Sequence, residues 1–334
     1  MRILVTGGMG EVGRPTVHWL LSHGHEVRVL DLAIDRPIEG AECIQGSVTD
    51  FDKLGPLMEG VDGVVHLAAY RHPGLAPEHR LFEVNVGGTF NVFRAAADAG
   101  IRRVVCASSI NALGYNFGIR FPEGQLRYFP LDEDHPTYST DPYSFSKQTI
   151  EQIGAYFWRR EAISSVFLRL PAVYDLQADG GGLLISFVTG CGRQTAEIMS
   201  LPEPQRSRRI EGIIADFERR ATAREWEAEF SFDFPDAYVM FGRSNFWTSV
   251  DVRDAAQAIE KSLLTDLEGS HTLYIIDEHN FTDMPSRELV KAWLPEVTTW
   301  KAPTKGTESL ISIEKARELI GFEPKYPYHD RNKQ

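Results

Sequence analysis

The chain has 334 residues, 43% of them hydrophobic and 25% charged, an ordinary composition for one large globular domain or two closely joined ones. Its formal net charge of -12 argues against a nucleic acid or an acidic membrane surface as partner. Three scattered cysteines, no metal-ligand spacing and no bilayer-length apolar run leave no metal centre and no membrane span to expect.

In chain order, residues 3–6 read as a short buried strand, and the chain enters it with no apolar leader, so a cytoplasmic protein is expected. Gly7-Gly8-Met9-Gly10-Glu11-Val12-Gly13 follows at once, then a helix with Val17, Leu20 and Leu21 on one side, then a strand that ends in Asp31. Glycines here allow a tight turn and let a pyrophosphate come close to a helix N-terminus. Asp31 lies where a carboxylate accepts hydrogen bonds from an adenosine ribose and repels a ribose phosphate, which favours NAD over NADP.

Further strand-like runs cover residues 42–45, 63–67 and 103–107, separated by helical runs at 51–59 and 81–98. This alternation predicts a parallel sheet covered on both faces, with ligands beyond the carboxyl ends of its strands. Cys43 and Cys106 fall inside such runs and are expected to be buried. His66-Leu67-Ala68-Ala69 and Ala107-Ser108-Ser109 stand at strand ends; the alanines suit close approach of a flat cofactor, and His66 reads as a structural histidine.

Asp141-Pro142-Tyr143-Ser144-Phe145-Ser146-Lys147 opens a helix that runs to about residue 160. Tyr143 and Lys147, four apart, share one helix face. A phenol has a pKa of about 10, and an ammonium beside it favours the ionised form. Such a tyrosine can pass a proton to or from a substrate hydroxyl.

Taken together, these segments resemble the extended short-chain dehydrogenases/reductases, in the NAD-dependent epimerase/dehydratase branch. The resemblance also takes in Asn85-Val86-Gly87-Gly88-Thr89 and Val250-Asp251-Val252-Arg253-Asp254-Ala255-Ala256. It implies an α/β fold, a doubly wound parallel Rossmann sheet with a smaller C-terminal substrate lobe. Residues 1–170 would bind NAD and also receive about 246–276; residues 171–245 and 277–334 would form the lobe. The implied cofactor contacts are Gly7, Gly10, Glu11, Val12, Gly13, Asp31, Ser47, Val48, Leu67, Ala68, Ala69, Asn85, Tyr143, Lys147 and Leu170. Ser109, five residues before Gly114, would be the catalytic hydroxyl, Tyr143 the acid/base and Lys147 its partner. A homodimer through the helices at 81–98 and 143–160 is implied as well.

The chain departs from the family pattern in three places. Ser47 stands where an aspartate is common. Ile110-Asn111 follows Ser109 where dehydratases carry Asp-Glu. Ala172 stands three residues beyond Arg169, where nucleotide-sugar enzymes commonly have Asn.

In the second half, residues 114–136 form a long loop expected to wall the pocket, with Asn111, Tyr115 and Asn116 as possible substrate contacts. Gly180-Gly181-Gly182 reads as a connector. Arg206-Ser207-Arg208-Arg209 and Arg219-Arg220 read as a charged helix face. Trp226, Phe230, Phe232 and Phe234 read as packing. Arg243 is a substrate-binding candidate, because it precedes the segment that returns to the cofactor domain. The expected activity is NAD-dependent hydride transfer at a hydroxyl of a small carbohydrate, by Ser109, Tyr143 and Lys147. An NAD-retaining sugar epimerase resembling UDP-glucose 4-epimerase, and a non-catalytic NAD-binding regulator, are the alternatives.

Overall fold

The computed structural model describes residues 1–118, 124–176, 183–225 and 236–330. Gly180-Gly181-Gly182 and the aromatic run from Trp226 to Phe234 lie outside the described residues. The strands are β1 (Arg2–Thr6), β2 (Glu26–Asp31), β3 (Ala41–Gln45), β4 (Gly63–His66), β5 (Arg103–Ser109), β6 (Ser164–Leu170), β7 (Ala172–Tyr174), β8 (Ser249–Asp251) and β9 (Ser270–Tyr274). Seven of them form one sheet in the order β3-β2-β1-β4-β5-β6-β9, and every neighbouring pair is parallel. β7 and β8 pair separately, also in parallel.

The helices are α1 (Gly13–Ser22), α2 (Phe51–Leu57), α3 (Glu78–Phe82), α4 (Gly88–Asp98), α5 (Pro142–Glu161), α6 (Leu183–Met199), α7 (Gln205–Thr222), α8 (Ala237–Ser244), α9 (Val252–Leu264), α10 (Ser286–Trp293) and α11 (Glu314–Ile320). The central strands are apolar on both faces because both faces are covered. Ile3 and Val5 of β1 join one core with Val17 and Leu20 of α1 and Ile259 of α9. Leu4 between them joins the other, with Val92 and Phe93 of α4 and Ile150 and Phe157 of α5. The strand order reverses at the β1–β4 boundary, and in open parallel sheets the crevice at that point takes the ligand.

Several local features follow from single residues. Asp141 caps α5: its side chain accepts from Ser144 N at 2.8 Å, with Pro142 at the first helical position. Asp251 caps α9 by accepting from Arg253 N at 2.9 Å. Gly321 ends α11 at φ 63, a left-handed turn that glycine adopts without strain. The helix expected over residues 81–98 is interrupted by a π-helical turn, Glu83–Gly87, that holds Asn85.

Cys106 is fully buried, but Cys43 is only half-buried, a correction to the expectation for that pair. β3 is the edge strand, so less of the chain covers it. Of the arginines at 206–209 and 219–220, Arg206 pairs with Glu203, Arg209 with Asp236, and Arg219 and Arg220 with Asp216 and Glu225. Among the described residues, no helix is long and apolar enough to cross a membrane.

Candidate active site

The glycine-rich turn is built for close backbone contact. Gly7 adopts φ +73, and a Cβ there would lie 2.6 Å from Ala68 N. A Cβ on Gly13 would lie 2.1 Å from Gly7 O and 2.7 Å from Gly8 Cα. No side chain fits either place, so the first turn of α1 approaches β1 as a bare backbone surface. Asp31 sits at the end of β2 beside this turn and accepts from Met9 N at 2.8 Å and Leu32 N at 2.7 Å. Each carboxylate oxygen keeps a lone pair for a ribose hydroxyl.

At the end of β3, Ser47 Oγ meets Thr49 Oγ1 at 2.8 Å. Val48 packs against the bare Gly88, where a Cβ would come 2.6 Å from Val48 Cγ2. The glycine cradle, the acid and this apolar shelf fit the pyrophosphate, ribose and adenine of a dinucleotide in sequence along the strand ends.

A cleft of about 570 Å³ opens beside the cradle. Glu11, Val12, Leu67, Ala69, Lys147 and Leu170 line its cofactor side. Ser109, Asn111 and Tyr143 line it further on, and Ala172 contributes a methyl where a polar side chain would reach in.

Tyr143 is buried, and burial pushes its phenol up to about 12. A hydrogen bond from Ser109 pulls the other way, Asp141 adds to the rise, and the charge of Arg71 opposes it. Lys147 is also buried, and burial lowers its ammonium to about 8, with Cys106 and Glu151 opposing the fall. Its Nζ donates to Ala107 O at 2.9 Å and lies 5.7 Å from the centroid of the Tyr143 ring. The expectation that Lys147 brings the phenol down is therefore corrected for the protein alone: desolvation wins, and the groups that lower Tyr143 are Ser109 and Arg71.

Two networks fix the geometry. Asn85 accepts from Tyr70 N at 2.8 Å and donates to Tyr70 O at 3.0 Å and Ser146 Oγ at 3.1 Å. Ser146 Oγ in turn donates to Tyr143 O at 2.7 Å. Asn85 thus ties the loop after β4 to α5, and its whole amide is spent on the protein.

Behind Lys147, Glu151 binds Arg169 through two contacts of 3.0 and 2.8 Å and accepts from Ser108 Oγ at 2.7 Å. Arg169 also donates to Tyr274 OH at 3.0 Å. This nearly dry cluster joins β5, β6, β9 and α5, and so sets Ser109 against Tyr143. Tyr143, Lys147 and Glu151 recur every four residues on one helix face, a spacing visible in the sequence.

Arg243 takes no part in the cleft, a correction to its place among the substrate contacts. It is buried, with Nε donating to Trp293 O at 2.9 Å and the guanidinium 5.8 Å from the Tyr115 ring centroid. α8 turns this side chain inward, against α10. Asn116 and Phe117 of the 114–136 loop do line the cleft.

Sequence reasoning missed the opposite wall: Arg71, His72, Gly74 and Leu75 after β4, and Phe187, Phe241 and Asn245 from the lobe. Arg71 forms an ion pair with Glu11 across the cleft mouth. Their only sequence signal is that Arg71 follows a strand end at the switch point.

The model of the NAD dependent epimerase/dehydratase family matches residues 3–186. An L-arabinose 1-dehydrogenase (NAD(P)(+)) from Haloferax volcanii is 36% identical over 174 residues, which are 51% of this chain and 66% of that one. A UDP-glucose 4-epimerase from Lacticaseibacillus casei is 32% identical over 191 residues, 54% of each chain. The matched part thus spans two thirds or less of the length of these relatives. A solved short-chain dehydrogenase/reductase superfamily protein from Agrobacterium tumefaciens with bound NAD is 25% identical, with a TM-score of 0.63 over 100% of this chain and 95% of that one.

Proposed function

The chain belongs to the NAD dependent epimerase/dehydratase family, and on that premise we propose that it is an NAD-dependent oxidoreductase acting on a hydroxyl of a sugar or sugar-derived substrate. The observation that carries this reading is that Ser109, Tyr143 and Lys147 meet in one cleft beside a glycine cradle that no side chain could enter. Gly7, Gly10 and Gly13 hold the pyrophosphate, Asp31 the adenosine ribose, Val48 the adenine, and Leu67, Ala69 and Leu170 flank the nicotinamide end. Bound NAD supplies a hydride acceptor and, while oxidised, a positive charge.

Tyr143 takes the hydroxyl proton as the carbinol carbon is oxidised to a carbonyl. Ser109 donates to the substrate oxygen and keeps it within reach of the phenol. Lys147, fixed by Ala107 O, holds its positive charge 5.7 Å from the Tyr143 ring centroid and would bind the nicotinamide ribose. In the reverse direction the phenol, protonated at neutral pH because burial raises it to about 12, donates to the carbonyl oxygen.

The second reading is an epimerase that keeps its NAD and returns the hydride to the opposite face. The same three side chains serve it, and an epimerase is among the relatives. Ala172 favours the dehydrogenase, since its methyl gives a nucleotide handle no polar contact. Incubation with NAD and a panel of sugars, sugar acids and UDP-sugars separates the two. Accumulating NADH is the expected result; a sugar of changed configuration with no NADH selects the epimerase.

The protein is further proposed to act in the cytoplasm, which suits its three free thiols, and as a homodimer. Phe90, Phe145 and Tyr156 leave 42%, 51% and 37% of their surface exposed on α4 and α5, an unusual concentration of bare aromatic area. Sedimentation should give twice the chain mass for the wild type and the single mass for Phe145→Glu. A wild-type monomer at micromolar concentration rejects the dimer.

A further inference from the structure

The cleft beyond Tyr143 has a composition that goes past the general reading and rests on it. Phe117 meets Tyr143 edge-on at 6.2 Å between centroids, Phe241 lies 6.1 Å from Phe117, and Phe187 lies 6.4 Å from Phe241. These rings make a continuous apolar wall.

Two amides interrupt it. Asn245 has its Nδ2 held by Phe241 O at 2.8 Å, which fixes the orientation of its amide. Asn116 is 2% exposed, and among the described residues its Oδ1 has no hydrogen-bond partner. A buried acceptor left unpaired costs roughly 1–3 kcal/mol. Such a group can be paired by a ligand where it lines a cavity, and Asn116 lines the cleft that holds the catalytic phenol.

The charges of the cleft are already committed. Among the described lining residues the cations are Arg71 and Lys147. Arg71 pairs with Glu11, and Lys147 is bonded to Ala107 O. His72 is neutral at pH 7, since burial and then the charge of Arg71 lower it to about 4. A diphosphate or a carboxylate calls for an uncommitted guanidinium or ammonium. A neutral polyol needs a few amides and an apolar face for its C–H surface.

We infer that the substrate is a neutral, unphosphorylated monosaccharide, one hydroxyl of which donates to Asn116 Oδ1 while Phe117, Phe187 and Phe241 cover its apolar face. Asn116 is then a specificity residue whose side chain costs the free protein stability and returns it on binding.

The test has two arms. The wild type is assayed with NAD on neutral pentoses and hexoses, on the corresponding uronates and on UDP-hexoses. Asn116→Leu, which keeps the branched outline of the side chain without its polar atoms, is assayed on the best substrate and melted beside the wild type. The expected result is a preference for neutral sugars of about tenfold or more in kcat/KM. In Asn116→Leu, KM rises about tenfold with kcat within a few-fold, and the melting temperature is equal or higher. That combination separates recognition from a structural role, which would lower the melting temperature.

A preference for uronates or UDP-hexoses overturns the inference and leaves the oxidoreductase intact. An unchanged KM in a folded Asn116→Leu also overturns it. Failure of the oxidoreductase reading looks different: no sugar in any arm yields NADH or changes configuration.

Discussion

Tyr143→Phe should lower kcat by roughly a thousandfold while leaving the fold and the cofactor affinity in place. The substitution removes one oxygen, the one proposed to exchange a proton with the substrate hydroxyl. General acid–base groups contribute about 10²- to 10⁴-fold, so the expected loss lies mid-range, about 4 kcal/mol of transition-state stabilisation. The ring itself is retained, and with it the edge contact to Phe117. Ser109 Oγ loses the phenol but still accepts from Asn111 N at 3.1 Å, so no buried hydroxyl is orphaned.

The pH profile supplies a second readout. In alcohol oxidation the phenol must be ionised to accept the proton. Burial holds it up, to about 12 in the protein alone, so wild-type oxidation should climb with pH through the neutral and mildly alkaline range. Residual turnover in Tyr143→Phe should lack that climb. Activity within a few-fold of wild type, with the alkaline rise preserved, would remove Tyr143 from the chemistry and the oxidoreductase account with it.

What the sequence made legible is what backbone geometry dictates. The glycine turn could be read because a Cβ at Gly7 or Gly13 collides with main chain, which no neighbouring substitution relieves. The parallel sheet could be read because strands covered on both faces carry consecutive apolar residues, as Ile3, Leu4 and Val5 do in β1. The Tyr143–Lys147 pair could be read because four residues make one helical turn.

Side-chain direction was not legible. Arg243 stands near the segment that returns to the sheet, yet its helix aims it at Trp293 O. Arg71 belongs to a loop with no period, and only the fold brings it across from Glu11. The influence of Lys147 on Tyr143 was misjudged because sequence gives spacing but not desolvation. Here both groups are buried, and desolvation is the largest influence on each. The same blindness to burial concerns His66, whose strand-end place suggested a structural role but not its magnitude.

His66 should be a principal acid trigger of unfolding. It is buried between Thr6 Oγ1 at 2.7 Å and Thr89 Oγ1 at 3.0 Å, joining β1, β4 and α4 at the strand ends that bear the cofactor cradle. Burial, and then the charge of Lys147, lower its pKa from 6.5 to about 3. The unfolded chain therefore binds a proton below pH 6.5 that the folded chain refuses until about pH 3. Stability from this residue is complete above pH 6.5 and is lost as pH falls toward 3. A depression of that size corresponds to about 5 kcal/mol over the whole window.

Other groups work against the trend. Burial raises Asp254 to about 6, and also raises Glu133 and Asp277, so those carboxyls gain protons in the folded state first and stabilise it on acidification. A comparison of variants cancels them. Urea unfolding of wild type and His66→Asn at pH 7 and pH 4 should show wild type losing roughly 3 kcal/mol relative to the variant between the two conditions, the share of the window then crossed. His66→Asn should itself be less stable at pH 7, since it gives up ring packing and one of two hydrogen bonds. A wild-type–variant difference that stays constant from pH 7 to pH 4 would show that folded His66 takes up its proton over the same range as the unfolded chain, and that burial does not hold it neutral.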